Sequence, residues 1–244
     1  MEMILHLKDE IFDLVKNGSK NIEIRLYDEK RRKLNVGDIL IFYKNGDESK
    51  KVIAKVEELN IFDNIEELVN NYDLRNMYFE DSSKEELISI FNERYSKDKQ
   101  EEYKVVAIKF EKKEKSCGVV VFNDKQEVLL VHHFNGHWGY PKGHVEEKET
   151  EEETAVREVL EETNIRARIM PGFRKIVTYS PSENTMKDVI LFVGEAINTD
   201  AKPQEIEVSE CKFVSVEEAF KLLNQEKYFE YVNVLEEAVK FYCE

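Results

Sequence analysis

Short apolar stretches separated by charged and turn residues run along the first half of the chain, and this pattern predicts strands with helices between them. In the stretch 22–27, Ile22, Ile24 and Leu26 alternate with Glu23 and Arg25, which places the two charged side chains together on one strand face. The predicted strands are 3–7, 22–27, 38–43, 51–59 and 104–110, and the predicted helices are 9–17 (ended by Gly18), 65–71 and 84–95. Several strands with long connections predict a small barrel.

The second half predicts a mixed sheet between helices. Its predicted strands are 117–122, 128–133 and 212–214, with extended segments at 166–179 and 188–196, and its predicted helices are 150–163, 216–223 and 228–242. The fully charged run 111–115 lies between two apolar strands and contains neither Gly nor Pro. We interpret it as a short, semi-rigid connection between two domains, at 1–112 and 113–244.

The helix predicted at 150–163 carries an unusual set of acids. Thr150 followed by Glu153 forms a capping box that starts the helix. At about 100° per residue, Glu158, Glu161 and Glu162 fall on one face. The opposite face, predicted to pack on the core, carries Ala155, Val156, Val159 and Leu160.

Three neighbouring carboxylates repel one another, and a divalent cation reverses that balance. Mg²⁺ takes oxygen ligands, acidifies a bound water and orients a phosphoryl group. Arg157 is placed to pair with Glu149 in the preceding loop and to hold loop and helix in register. A solvated acidic helix is the competing interpretation, and EVLEE alone would favour it; the wider spacing favours the metal site.

That wider spacing resembles the signature of the Nudix hydrolases, G-x5-E-x7-R-E-U-x-E-E-x-G-U with U aliphatic. The matching positions are Gly143, Glu149, Arg157, Glu158, Val159, Glu161, Glu162 and Ile165, and Asn164 replaces the last glycine. A helix C-terminus often takes a left-handed conformation there, which Asn tolerates. The resemblance implies an α/β/α sandwich that hydrolyses a nucleoside diphosphate joined to another group. It also implies Mg²⁺ or Mn²⁺ held by Glu158, Glu161, Glu162 and Gly143, with Arg157 and Glu149 in the catalytic set.

Flanking residues resemble the Nudix subgroup that cleaves diadenosine tetraphosphate asymmetrically to ATP and AMP. The likeness covers about 116–242 and is carried by the stretches 138–146 and 172–179 and by Lys187. It implies substrate contacts from Lys142, Tyr179, Lys187, Trp138 and His144. Lys142 would neutralise a polyphosphate and Tyr179 would stack on adenine.

Each of these residues also has a plain structural interpretation, as a loop lysine, a strand tyrosine or a core tryptophan. His132, His133 and His137 lack zinc spacing, and we interpret them as incidental. Among three acids before the last strand, Glu205, Glu207 and Glu210, the one nearest the acid that the subgroup uses is Glu207. The general base is Glu161, Glu158 or Glu207, and the sequence does not choose among them.

The first half contains G-x-K-x-x-E-x-R at 18–25. This resembles the ASCH domains, PUA-like barrels that bind RNA or nucleotides, and implies a ligand cleft lined by Lys20, Glu23 and Arg25. Related amidases need a Thr where Glu23 stands, which argues against that activity. The basic run 30–33 is a candidate phosphate patch or a solvated turn.

Composition adds few constraints. The net charge of −15 excludes a bulk polyanion-binding surface. The three cysteines lack CxxC spacing, and there is neither a long apolar run nor a basic-plus-apolar leader, so we expect a cytoplasmic protein with free thiols. Besides dinucleoside polyphosphate hydrolysis, the sequence leaves open an RNA 5′-pyrophosphohydrolase, a nucleoside triphosphate pyrophosphatase and a nucleotide-sensing or RNA-binding protein. The oligomeric state is undetermined.

Overall fold

A computed structural model describes residues 1–72, 83–134, 136–146, 148–204, 206–224 and 229–243. The chain divides into two compact units, Met1–Glu114 with Ser180–Met186, and Lys115–Tyr179 with Lys187–Glu244. None of the described helices is long and apolar enough to cross a membrane.

The first unit is built on a five-stranded mixed sheet. Its strands are β1 (Glu2–Leu7), β2 (Ile22–Leu26), β3 (Ile39–Lys44), β4 (Asp47–Phe62) and the first part of β5 (Val105–Phe122). β1 runs parallel to β3, and the β3–β4, β4–β5 and β5–β2 ladders are antiparallel, which gives the order β1-β3-β4-β5-β2.

Helices pack on this sheet through two apolar clusters, and alternate residues of β5 belong to one cluster or the other. Val106 and Ile108 join the cluster under α1 (Asp9–Asn17), while Val105 and Ala107 join the cluster under α2 (Ile65–Asn71) and α3 (Lys84–Arg94). The predicted helix at 9–17 ends as expected, with Gly18 in the left-handed region at φ 87°. The short, strongly polar helix α4 (Lys97–Tyr103) was not predicted from the sequence.

The run 111–115, predicted as a connection between two strands, lies instead inside the single strand β5, and the chain divides into its two units within this run, between Glu114 and Lys115. Glu111, Lys112 and Lys113 pair with Lys55, Ala54 and Ile53 of β4. A backbone ladder does not depend on side-chain polarity, so charged residues can occupy a strand whose side chains remain partly solvated.

The second unit places helices on both faces of a sheet. Its strands are the rest of β5, β6 (Val128–His133), β7 (Trp138–Gly139), β8 (Lys142–His144), β9 (Ala167–Ile169), β10 (Lys175–Ser182), β11 (Thr185–Ala196) and β12 (Val208–Val214). Its helices are α5 (Glu151–Thr163), α6 (Val216–Leu223) and α7 (Phe229–Cys243). The tip of the β10–β11 hairpin belongs to the first unit.

Side-chain alternation along β5 again decides what each face contacts. Val120 and Phe122 pack with residues of α6 and α7, whereas Cys117, Val119 and Val121 pack with Ala155 and Val159 of α5. Cys117 and Cys211 are buried. The sheet therefore carries α5 on one face and α6 with α7 on the other, the layered arrangement expected from the sequence.

Candidate active site

Helix α5 begins and ends as its sequence predicts. The Thr150 hydroxyl accepts a hydrogen bond from the Glu153 amide at 3.2 Å, and the Glu153 carboxylate accepts one from the Thr150 amide at 2.9 Å. Asn164 closes the helix in the left-handed conformation at φ 59°. Both ends are thus fixed by local contacts, which sets the position of every acid between them.

The buried face of α5 is rotated from the one predicted. Ala155 and Val159 are buried as expected, but Leu160 is 42% exposed and Glu162 only 3% exposed. The prediction that Leu160 faces the core is wrong. The helix presents Glu162 to the loop before it, where the backbone amide of Lys142 hydrogen-bonds its carboxylate, and Leu160 consequently turns to solvent.

Arg157 joins the helix to that loop, as predicted. Its Nε and Nη2 atoms donate to the Glu149 carboxylate at 2.7 and 2.9 Å, and Nη2 also donates to the His144 carbonyl at 3.0 Å. The Thr154 hydroxyl donates to the same carboxylate at 2.7 Å. Hydrogen bonding from Arg157 lowers the pKa of Glu149 to about 2, so the forked contact stays ionised.

The same guanidinium reaches two of the acids. Nη1 of Arg157 lies 2.7 Å from Glu158 and 3.1 Å from Glu161. A β-carbon at position 143 would occupy the space of the Glu158 carboxylate, so glycine at that position makes room for the acid. Burial raises the pKa of Glu158, and the nearby Glu161 and Glu207 charges raise it further against the effect of Arg157.

Glu162 and Lys142 form the buried part of the site. The Lys142 amide donates to the Glu162 carboxylate at 3.0 Å. Burial raises the pKa of Glu162 to about 7, opposed by the Lys142 ammonium. Burial likewise lowers the pKa of Lys142, opposed by Glu162, Glu158 and Glu207. One cation thus shares its surroundings with three carboxylates.

Glu207 joins this group from a separate part of the chain. It is exposed in the turn before β12, and its charge affects the pKa values of Glu158, Glu162 and Lys142. Glu205, one of the other acids considered there, lies outside the described residues. Helix α5, the β8 loop and the approach to β12 therefore converge on one acidic site.

The residues present fit a divalent cation. The donors are all oxygens, and burial next to like charges raises carboxylate pKa values in a way that a cation would reverse. Within the described ranges, no three acidic, imidazole or thiol groups already form a metal-binding cluster. Arg157 contacts Glu158 and Glu161, and the Lys142 amide donates to Glu162. The three acids are therefore held in place, and each already has a partner within the protein.

Comparison with known families agrees with this geometry. The model of the NUDIX domain matches residues 112–235, about half of the chain. The chain belongs to the Nudix hydrolase family. It is therefore an enzyme that hydrolyses phosphorus-containing anhydrides, as the sequence predicted, and Nudix hydrolases generally use divalent metal ions. The ASCH domain model matches residues 5–114, in agreement with the second resemblance.

Individual relatives of the Nudix part are of moderate similarity. The asymmetrical bis(5′-nucleosyl)-tetraphosphatase of Sus scrofa is 33% identical over 144 residues, covering 53% of this chain and 95% of that protein. The protein of the same name from Rattus norvegicus is 32% identical over 147 residues, with the same coverage. A solved C. elegans Ap4A hydrolase complex is 26% identical, covering 53% of this chain and 98% of its own, with a TM-score of 0.48.

The predicted substrate residues occupy different parts of the Nudix unit. Trp138 and Tyr179 pack against the apolar cluster on the sheet face opposite α5, and Lys187 is half-buried on β11. The Lys212 ammonium lies 4.5 Å from the Trp138 ring centroid. His144 is exposed, and its carbonyl supports Arg157. The structure thus brings Lys142 among the acids, while Trp138 and Tyr179 each pack against the apolar cluster on the other face of the sheet.

His133 was interpreted as incidental, yet it lies beside the acidic site. It pairs with Val208 in the β6–β12 ladder, next to Glu207, whose backbone raises the pKa of the His133 ring. Burial and, second to it, the Lys142 charge together lower its pKa to about 3. Only the strand register reveals this proximity, because His133 and Glu207 are 74 positions apart in the sequence.

In the first unit, Lys20, Glu23 and Arg25 meet as one buried cluster, each at most 7% exposed. Glu23 lies 3.3 Å from the Lys20 ammonium and 2.7 Å from the Arg25 guanidinium. Burial would raise the pKa of Glu23, but the two cations hold it below its usual value. All three line a cavity of about 600 Å³.

Proposed function

We propose that this Nudix hydrolase cleaves dinucleoside polyphosphates, with diadenosine tetraphosphate giving ATP and AMP, and that it requires Mg²⁺ or Mn²⁺. The observation that carries the proposal is the convergence of Lys142 with Glu158 and Glu162 at one end of α5. Relatives named as asymmetrical tetraphosphatases match the Nudix part over 95% of their own length, which supports the substrate class.

Glu158, Glu161, Glu162 and the Gly143 carbonyl would hold the metal. When bound, such an ion acidifies a water and polarises a phosphoryl oxygen. Arg157 and Glu149 position the acids without contacting substrate, since their forked contact ties the loop to the helix. Lys142 neutralises charge on the polyphosphate.

The reaction needs one proton acceptor and no covalent intermediate. The water oxygen bonds to phosphorus, the anhydride P–O bond breaks, and the nucleotide leaves with the bonding electrons. Glu161, Glu158 or Glu207 accepts the proton of the water. Of the two on α5, Glu161 is the more exposed, at 53% against 12% for Glu158.

We assign the contacts with the nucleobase and the outer phosphates of the substrate to residues outside α5. Tyr179 stacks on a nucleobase and Trp138 forms a wall of the pocket, because both are aromatic, partly exposed and packed against the same apolar cluster. Lys187 and His144 contact phosphates. These assignments extend the likeness to tetraphosphatases from the metal helix to the substrate pocket.

For the N-terminal domain predicted at 1–112, we propose a PUA-like barrel that binds RNA or a nucleotide through Lys20, Glu23 and Arg25. The buried cluster of two cations and one carboxylate supports this role. It also favours the alternative that the hydrolase unit, 113–244, acts on RNA 5′ ends. We place the protein in the cytoplasm.

A substrate panel tests the proposal. With Mg²⁺, kcat/KM is compared for diadenosine tetraphosphate, a 5′-triphosphorylated RNA and deoxynucleoside triphosphates, and the products are identified. ATP plus AMP at the highest kcat/KM is expected; higher efficiency on the RNA would establish the alternative. Chelation should stop turnover, and Mg²⁺ or Mn²⁺ should restore it.

A matched pair of variants tests the metal assignment. Glu162→Gln removes a buried acid and should abolish turnover, whereas Glu152→Gln alters an exposed acid on the same helix and should not. Full activity in the Glu162 variant would show that the metal is held elsewhere.

A further inference from the structure

A second open cavity in the first unit, of about 480 Å³, has an excess of positive charge. Its charged lining consists of four cations and one carboxylate, Arg25, Lys30, Arg31, Arg94 and Asp28. We call it the arginine cavity. The remaining lining comes from the chain around β1, from the end of β2 and from Tyr95.

Two of these cations already have carboxylate partners. Arg25 is 2.7 Å from Glu23, and Arg31 is 2.7 Å from Asp28. Lys30 and Arg94 have no ion pair within the described parts of the chain. The Lys30 ammonium donates to a backbone carbonyl at 3.3 Å, and the Arg94 guanidinium lies 5.5 Å from the Tyr95 ring centroid.

The buried cluster of Lys20, Glu23 and Arg25 behind the cavity adds to its excess of positive charge. Glu23 faces both Lys20 and Arg25 there, and Arg94 is near enough to affect the pKa values of Lys20 and Glu23. Lys30 and Arg94 are both exposed, so a ligand in solvent reaches them. Cations gathered in a concave surface attract and retain an anion.

We propose that the arginine cavity binds a terminal phosphate group of a nucleotide. A phosphate monoester carries about −1.5 to −2 charge at neutral pH, which matches two unpaired cations better than a carboxylate does. The guanidinium fork of Arg94 suits phosphate oxygens, and Lys30 adds a point charge. The proposal rests on the nucleotide- or RNA-binding role given to this unit and assigns the phosphate end of the ligand.

The phosphate comes from a free nucleotide or from the 5′ end of an RNA, and the test separates the two. Metal-free full-length protein in EDTA is titrated calorimetrically with AMP, adenosine, and hexaadenylate with a 5′-phosphate or a 5′-hydroxyl. AMP or the phosphorylated hexamer should bind, and their unphosphorylated counterparts should bind at least about tenfold more weakly, since charge-assisted hydrogen bonds are lost.

Matched variants locate the binding. Arg94→Gln and Lys30→Gln should each weaken binding by about tenfold. Arg32→Gln removes a charge from the same basic run, but Arg32 stacks on Tyr27 and does not line the cavity, so its affinity should stay within about twofold. Thermal unfolding of each variant checks that the fold is kept.

Three results would overturn the inference: no phosphate-dependent binding by the unaltered protein, equal loss in the Arg32 variant, or loss confined to Lys142→Gln. The last would place the bound phosphate at the hydrolase site. These titrations contain no metal, whereas the proposed hydrolysis is judged by turnover with Mg²⁺, so failure of one is distinguishable from failure of the other.

Discussion

The carboxylate of Glu158 occupies the space that a side chain on residue 143 would need. Gly143 pairs with Cys117 at the edge of β5, so the backbone on both sides of this contact is held in hydrogen-bonded structure. The glycine of the signature is thus explained by close packing of an acid against a strand.

Replacing Gly143 by Ala should therefore displace Glu158 and lower kcat/KM by about 100-fold or more, since active-site positions tolerate little displacement. Gly139→Ala is the matched control. A β-carbon there meets only ordinary contacts, at 3.6 Å from Tyr231 and 3.9 Å from His133. Steady-state kinetics on both variants tests this prediction. Equal kcat/KM for the two variants would show that displacing Glu158 does not affect catalysis.

Arg157 holds Glu149 through a planar fork, and lysine has no such fork. Arg157→Lys keeps the charge but should reduce kcat by about 10- to 100-fold, because loop and helix lose their register. KM should change less if the role is positioning alone. A double-mutant cycle with Glu149→Gln should give a coupling of about 1 kcal/mol or more; additive effects would contradict the linkage.

The elevated pKa of Glu162 predicts how stability depends on pH without metal. Its folded-state pKa of about 7 lies above the usual carboxyl value of 4.5, so the folded protein binds more protons between these values. Stability should fall as pH rises from about 4.5 to 7, by up to about 3 kcal/mol from this group.

Denaturant unfolding in EDTA at pH 5 and pH 8 measures this effect. Glu162→Gln cannot ionise, so it should lose that part of the slope and be more stable than the original protein at pH 8. Added Mg²⁺ should stabilise the original protein more at pH 8 than at pH 5. A variant with an unchanged slope would assign the pH dependence to other groups.

Asn164 supports the helix end in two ways. It adopts the left-handed conformation, and its side chain donates to the Asp200 carbonyl at 3.2 Å. Asn164→Ala should cost about 1–2 kcal/mol. Asn164→Gly gains conformational freedom but loses the side-chain bond, so it should lie within about 1 kcal/mol of the original. Chemical denaturation ranks the two, and equal losses would assign the effect to the hydrogen bond alone.

Local signals in the sequence were sufficient to predict helix α5, but not which of its faces is buried. The capping box and the Arg157–Glu149 pair follow from spacing, because the contacting residues lie within eight positions of one another. The burial of Glu162 depends on the Lys142 backbone amide, 20 positions away, and helical periodicity contains no such information. Leu160 was misassigned for the same reason.

Long-range register explains the other differences. His133 meets Glu207 only because β6 pairs with β12, and the arginine cavity forms only because α3 brings Arg94 to the end of β2. Composition suggested a connection at 111–115, since charged residues are common in loops. Pairing with β4 makes it a strand, and a single-strand pattern does not show which partner is available.

This ladder has a consequence for limited proteolysis. Lys112 and Lys113 follow one another in a fully charged run, which on sequence grounds is an inviting site for trypsin. A protease must draw several residues out in extended form, but here residues 111–113 pair with β4 and the Lys112 amide donates to the Asn184 carbonyl at 2.8 Å. Brief digestion should therefore spare the junction between the two halves of the protein and cut first at lysines elsewhere.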